Sequence, residues 1–555
     1  MSAFFASTIG RLFLAFAART PFIAAWLNRL IINGIVNRAR NRPHPYSTLH
    51  DYTSWRSLTD QEWSGRHLRA DHRGGAPDEE TPSIDDLMAL FRRPDGAQRM
   101  CPKSTCLFPA FAQYLTDGFL RTVSDQTRAS IAVFLPSQPG DDAGELDRRL
   151  SRNTSNHNID LSPLYGRIHA QTLVLREQSE ETGRRGRMKT QMIDGEEFAP
   201  FLFENDIIKE DFEILDPPLG LKQMIDMWDR DADDRPPGAA QRATLFAFGG
   251  DRANSVPQVS MMNTLFLREH NRLAGEIEAA YPHWDDERVF ETARNTVIAI
   301  FIKIVVEDYI NHIAPIAFPL RADPKAAWRA KWNRPNWITT EFSLLYRWHA
   351  LIPDEVRWGD WSGPVRATFL NNAPLLAAGL QRGFQDMSGQ GAAELGPQNT
   401  TDALLHVEAA SIRQDRATGL ASYARYRRYI GGPAKISFED ISSDPKIISL
   451  LYKLYDGDPH AVEFFPGIFA EDRVADSPLP RTILSMVALD AFSQALTNPL
   501  FSEHVFNPDT FSRVGWAALN ETSTLRQLVL RNVAAPDADA FIGMTRRDWR
   551  AGRER

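Results

Sequence analysis

Two side chains in the stretch EFSLLYRWHALIPD, Glu341 to Asp354, could carry redox chemistry together. Tyr346 and His349 are three residues apart, which on a helix puts them on one face. An imidazole can bind iron through a ring nitrogen, and a nearby phenol can give up an electron with its proton. Phe342, Leu345, Trp348 and Leu351 add an apolar wall, and Pro353 stops the helix soon afterwards. Spacing alone favours a plainer reading, a hydrogen-bonded core histidine among aromatics. A second pair, Gln113 and Asp117, sits at i and i+4 in FPAFAQYLTDGFLRT and so shares a helix face. His270, in LREHN, is a further imidazole on a run with helical apolar spacing, Arg268 and Glu269 being outward or paired. Cys101 and Cys106 are the only cysteines. They exclude a disulfide framework and a zinc site, and the CPKSTC spacing on a turn predicts two free thiols.

The elements that must position these groups belong to a long chain. With 555 residues a large core is available, and about 150 residues per domain would allow three or four domains. A net charge of −8 with 24% charged residues points to no nucleic-acid partner. The first forty-two residues contain six arginines, Arg38 and Arg40 among them, and no acid. Their apolar runs are broken by Arg11, Arg19 and Arg29, so none reaches the roughly 18–20 uncharged residues of a membrane span. A secretory signal fits poorly. Short amphipathic helices broken near Thr20-Pro21 remain, lying in a membrane interface with arginines at the headgroups. Thr292 to Phe318 reads as one long apolar core helix. Val533 to Arg555 reads as a loose charged tail. No dinucleotide, P-loop, zincin or nucleophile-elbow motif occurs in a sensible context.

Resemblance sharpens this. YRWH within EFxLLYRWHxxxPD resembles the proximal-haem segment of the cyclooxygenase and fatty-acid dioxygenase branch of the animal-type haem peroxidase superfamily. The Arg after Tyr346 is closer to the fungal and plant dioxygenases than to the animal cyclooxygenases. The stretch Phe108 to Thr122 resembles the distal helix, with Gln113 in place and Asp117 where the family has its distal His. HNIDLSPLYG, MKTQMIDGEEFAP, the block Phe248 to Ile277, Ala410 to Ile441 and LYKLYDGDPHAVEFFPGIFAEDR follow in the family's order, so the resemblance spans roughly residues 35–530.

The resemblance implies an all-α, cyclooxygenase-like haem peroxidase fold, with membrane-binding helices over 1–45 and a catalytic domain over 46–555. It implies one haem b, held by His349 as iron ligand and flanked by Gln113 and Trp348. Tyr346 becomes the radical that abstracts hydrogen from an unsaturated fatty acid before O2 adds. Arg252 matches a distal arginine of the mammalian peroxidases, which animal cyclooxygenases lack; His270 falls where the family has a structural histidine. Ile310 and Ile313, with Phe342 and Leu345, would line the acyl channel, and Arg38 or Arg40 would clamp the carboxylate. Gly118 replaces a calcium-ligating Asp and only part of the loop with Asn156, Asn158, Asp160 and Ser162 is kept, so no calcium is expected. Peroxide cleavage should be weak, because an exposed Asp, with a pKa of about 3.9, is a poor acid beside a His. The implied location is peripheral, on a membrane surface; the oligomeric state stays open, a homodimer included. The other readings are a lipid hydroperoxide isomerase or peroxidase, and a non-catalytic haem- or lipid-binding relative.

Overall fold

The computed structural model describes residues 8–37, 64–68, 81–94, 96–120, 153, 155–215, 239–335 and 337–549. Arg38, Arg40 and Arg42 lie outside them, as does the expected boundary at 45/46. Helices dominate. In chain order those that matter here are α1 (Thr8–Arg19), α2 (Pro21–Val36), α3 (Leu107–Phe119), α4 (Pro257–Ala280), α5 (Asp286–Ile304), α6 (Thr340–Leu345), α7 (Leu405–Ala417), α8 (Arg481–Leu496), α9 (Pro508–Glu521) and α10 (Leu525–Arg531). Strands occur only as two-stranded ribbons among the described residues.

Local chemistry sets several helix ends. Pro257 opens α4 at a position where its missing N–H is no loss. The Asp285 side chain accepts from Arg288 N at the start of α5, with Asp286 and Glu287 in the first turn facing the positive end of the helix dipole. Thr524 and Gln527 form a reciprocal capping box on α10. The centre is built from α4 against α3, α5 and α9, with α8 packed across α2 and α6.

α2 is docked on the catalytic body. Its buried Asn28 donates to Arg321 O at 3.1 Å and accepts from Arg321 N at 3.0 Å, and Asn33 accepts from the Trp332 indole at 2.8 Å. Arg29 pairs with Asp323 at 2.5 Å, with its side chain 40% exposed. The break at Thr20-Pro21 is as expected from the sequence.

Three expectations are corrected. The long core helix changes form: α5 gives way to a π-helical turn, Val305–Ile310, and the helical run ends at Ile313. CPKSTC is a strand, β1 (Met100–Thr105), paired antiparallel with β2 (Gly391–Ala393). Its cysteines are buried and free, as predicted. The tail is not loose over 533–549: Ala540, Ile542 and Met544 are buried, Thr105 N donates to Met544 O, and Arg546 N donates to Lys103 O. The free edge of β1 needs backbone partners, and this segment supplies them.

Candidate active site

The helix carrying the redox pair stops one residue early. Thr339 caps α6 by accepting from Phe342 N, and Leu345 is its last residue. Tyr346, Arg347 and Trp348 form a turn, and His349 begins a short 3-10 segment to Leu351. Tyr346 and His349 therefore do not share a face of one α-helix, contrary to the spacing argument. The aromatic rings explain it. Tyr346 stacks on Trp348 at 4.6 Å with only 20° between the planes. Residues i and i+2 point apart on an α-helix, so this stack requires the chain to leave helical geometry. Trp348 in turn stacks on Phe108 of α3 at 5.6 Å, and Phe108 on Tyr309 at 5.7 Å.

Tyr309 comes from the π-helical turn, and its hydroxyl is the polar neighbour of the Tyr346 hydroxyl. Neither makes a well-formed hydrogen bond, and both are buried. Burial pushes the Tyr346 phenol well above its ordinary pKa; Tyr309 offsets this in part, and Asp490 on α8 adds to it. A phenol so protected resists forming phenolate. It gives up an electron only when its proton leaves too, which is the behaviour of a hydrogen-atom donor and acceptor.

His349 is held from behind. Its Nδ1 is 3.2 Å from Oε2 of Glu408, a fully buried carboxylate on α7 whose Oε1 accepts from Thr400 Oγ1 at 3.1 Å. No group among the described residues bonds Nε2, and the side chain is 19% exposed inside the fold. The opposing wall is α3, where Gln113 and Asp117 lie on one face as expected. Gln113 donates to Ser255 Oγ at 2.9 Å, and Asp117 lies 3.9 Å from the guanidinium of Arg252.

Arg347 links the walls. Its pKa is lowered to about 10, chiefly by burial and then by Arg252, with Glu408 and Asp117 acting in the opposite sense. One guanidinium thus feels the carboxylate behind His349 and the carboxylate on α3 together. Its Nη2 donates to Gln414 at 3.2 Å, while its buried Nε has no partner. These residues suit a haem: a histidine with a free Nε2, a backed Nδ1, an acid–arginine pair opposite, and a buried guanidinium N–H still able to donate to an anionic group. His270 does not compete. Its ring nitrogens are taken by the Tyr165 hydroxyl at 2.9 Å and Gly186 O at 2.8 Å, and burial pushes its pKa down to about 3.

Residues 115–541 match the pattern of the family described as animal haem peroxidase. The chain belongs to the animal haem peroxidase family. Among curated relatives it is 29% identical to prostaglandin G/H synthase 2 of Cavia porcellus, over 94% of this chain and 79% of that protein. It is 30% identical to the Oryctolagus cuniculus counterpart, over 88% and 74%. Among solved structures the fold is similar to the fatty acid alpha-dioxygenase of Oryza sativa, with a TM-score of 0.66 at 16% identity, covering 96% of this chain and 91% of that one. Peroxidase A of Dictyostelium discoideum gives 0.62 at 19%, covering 84% and 93%. As a family member the chain is an oxidoreductase.

One apolar cavity of about 350 Å³ lies between α2, the π-helical turn and α8. Ile310 and Ile313 line it, together with Ile35, Leu484 and Phe492; Ser485 is its one polar side chain. Phe342 and Leu345 do not. Phe342 packs on Tyr346 at 4.7 Å and on Phe119, and Leu345 is buried in the core. Neither Tyr346 nor Tyr309 is among its lining residues, although Tyr309 precedes Ile310 in the chain. The indole of Trp348 is spent on Tyr346 and Phe108. Sequence reasoning missed Glu408 and Tyr309. Tyr309 sits beside the two isoleucines that were singled out, but a π-helical turn has no sequence signature that would aim it at Tyr346. Glu408 is brought to His349 only by the fold.

Proposed function

We propose that this chain is a haem-dependent dioxygenase that converts unsaturated fatty acids to hydroperoxides. One observation carries the reading: a buried, proton-retaining phenol, Tyr346, stands beside a second buried phenol, Tyr309, and three residues from an imidazole whose Nε2 has no partner among the described residues. Bound haem would supply the oxidising power that removes an electron from Tyr346. The oxidised Tyr346 oxygen takes a hydrogen atom from an allylic or bis-allylic carbon. O2 adds to the carbon radical, and the peroxyl oxygen takes the hydrogen atom back, so the net change is addition of O2 to a C–H bond. Ile310 and Ile313 hold the acyl chain away from water and fix which carbon faces the phenol. The relatives named for prostaglandin synthesis and fatty acid alpha-dioxygenation support this substrate class.

O2 uptake with linoleate or oleate tests it. Tyr346→Phe is expected to abolish uptake and leave the haem spectrum unchanged; uptake retained by that variant overturns the radical role. Asp117 against Arg252 favours a second reading, a lipid hydroperoxide isomerase, whose sign would be hydroperoxide consumption without O2 uptake.

The same reading places the enzyme peripherally on a membrane. Among the described residues no helix is long and apolar enough to cross one. Phe22 is 84% exposed, Leu12 68%, Phe16 62% and Trp26 56%, all on α1 and α2. Such an uncovered apolar set suits an acyl layer. Replacing Phe16, Phe22 and Trp26 with Ser should release the protein from phosphatidylcholine vesicles in flotation assays; unchanged flotation contradicts the placement. The reading also carries no calcium. The Asp160 oxygens already accept from Ser162 N and Asn156 Nδ2, both at 2.9 Å, and a Cβ on Gly118 would stand 3.1 Å from Pro163.

A further inference from the structure

We infer that Glu408 is the positioning residue of the iron ligand: a buried carboxylate that accepts a hydrogen bond from His349 Nδ1 and, through that ring, makes bound haem iron harder to reduce. The inference rests on His349 holding haem, as proposed above.

His349 Nδ1 and Glu408 Oε2 are 3.2 Å apart, both atoms are buried, and neither makes a well-formed hydrogen bond among the described residues. A buried carboxylate oxygen without a donor carries an unmet desolvation cost, and the imidazole nitrogen 3.2 Å away is the group placed to offset it. Donation from Nδ1 leaves Nε2 as the unprotonated nitrogen, the one with no bond in the fold and the one able to ligate.

α7 is braced to keep this contact. Gln414 Nε2 donates to Ser343 Oγ of α6 at 2.9 Å, and Gln414 Oε1 accepts from Arg347 at 3.2 Å, so the helix bearing Glu408 is tied to both sides of the Tyr346 turn. Asp415, one residue on, accepts from Phe465 N at 2.7 Å. Arg347 is the nearby opposing charge. It forms no ion pair with Glu408 among the described residues, so the carboxylate is not diverted from the ring.

A carboxylate accepts more strongly than a carbonyl and places negative charge on the ligand side of the metal. Greater donation from the ring stabilises the more oxidised iron and lowers its reduction potential.

The test uses the full-length protein loaded with haem. Resonance Raman of the ferrous form reads the iron–histidine stretch, and spectroelectrochemistry reads the Fe(III)/Fe(II) midpoint. The wild-type stretch is expected above that of haem proteins whose ligand histidine donates only to a backbone carbonyl. Glu408→Gln should lower it and shift the Fe(III)/Fe(II) equilibrium at least tenfold toward ferrous, about 59 mV for one electron. Glu408→Asp, which keeps the charge, should restore part of both. A low wild-type stretch overturns the inference even if the Gln variant holds no haem, and so does a midpoint unchanged in a Gln variant that holds it. Haem kept with an unchanged stretch in His349→Ala would instead overturn the parent reading.

Discussion

Asp117, which the family resemblance sets at the position of a distal His, is the residue on which the proposed chemistry departs most from that resemblance. Asp117 is nearly buried and lies 3.9 Å from Arg252, whose own side chain is 42% exposed. The exposure of the arginine lets solvent screen the pair. Near neutral pH a carboxyl group is in general a poorer proton shuttle than an imidazole. Asp117→His should therefore raise hydrogen-peroxide-driven oxidation of a reducing dye by about 10²-fold or more in the haem-loaded protein, the ordinary scale of a placed acid–base group. No gain would mean that Asp117 already does the shuttling. Gln113, by contrast, is where the sequence put it and is tied to Ser255.

At the scale of elements, the turn after α6 decides the site. The sequence named its residues and misjudged its path, because the apolar spacing of Phe342, Leu345 and Trp348 suits a helix as well as it suits a stack. Tertiary packing chose the stack: Phe108 of α3 offers Trp348 a flat partner, and Trp348 offers one to Tyr346. Trp348→Ala should destabilise the fold by about 3–5 kcal/mol, read from the denaturant midpoint, and lower haem occupancy. Trp348→Phe should recover most of both. Full occupancy in the Ala variant would show that the stack does not set the ligand's position. The π-helical turn acts in the same way, since the offset it adds after α5 aims Tyr309 at Tyr346 and leaves Ile310 on the cavity wall.

For the whole molecule, His270 gives the pH dependence a sign. It is neutral in the core, and its pKa is pushed from 6.5 to about 3, chiefly by burial. A cationic acid depressed on folding stabilises the fold above its unfolded pKa, and that contribution is lost as pH falls from about 6.5 toward about 3. The loss is on the order of a few kcal/mol. His270→Gln should flatten the fall in thermal midpoint across that window; an unchanged slope would assign the acid sensitivity to other groups.

Order along the chain, helical periodicity and the motif around Tyr346 and His349 were enough to point to the helical fold and the family, and the i, i+4 spacing put Gln113 and Asp117 on one helix face, because those are legible in the linear sequence. Three things belonged to the tertiary structure alone: the end of α6 at Leu345, the docking of residues 533–549 on β1, and the meeting of His349 with Glu408 and of Tyr346 with Tyr309. Each depends on which distant groups satisfy a ring face, an open strand edge or a buried polar atom, and no local pattern encodes that partner.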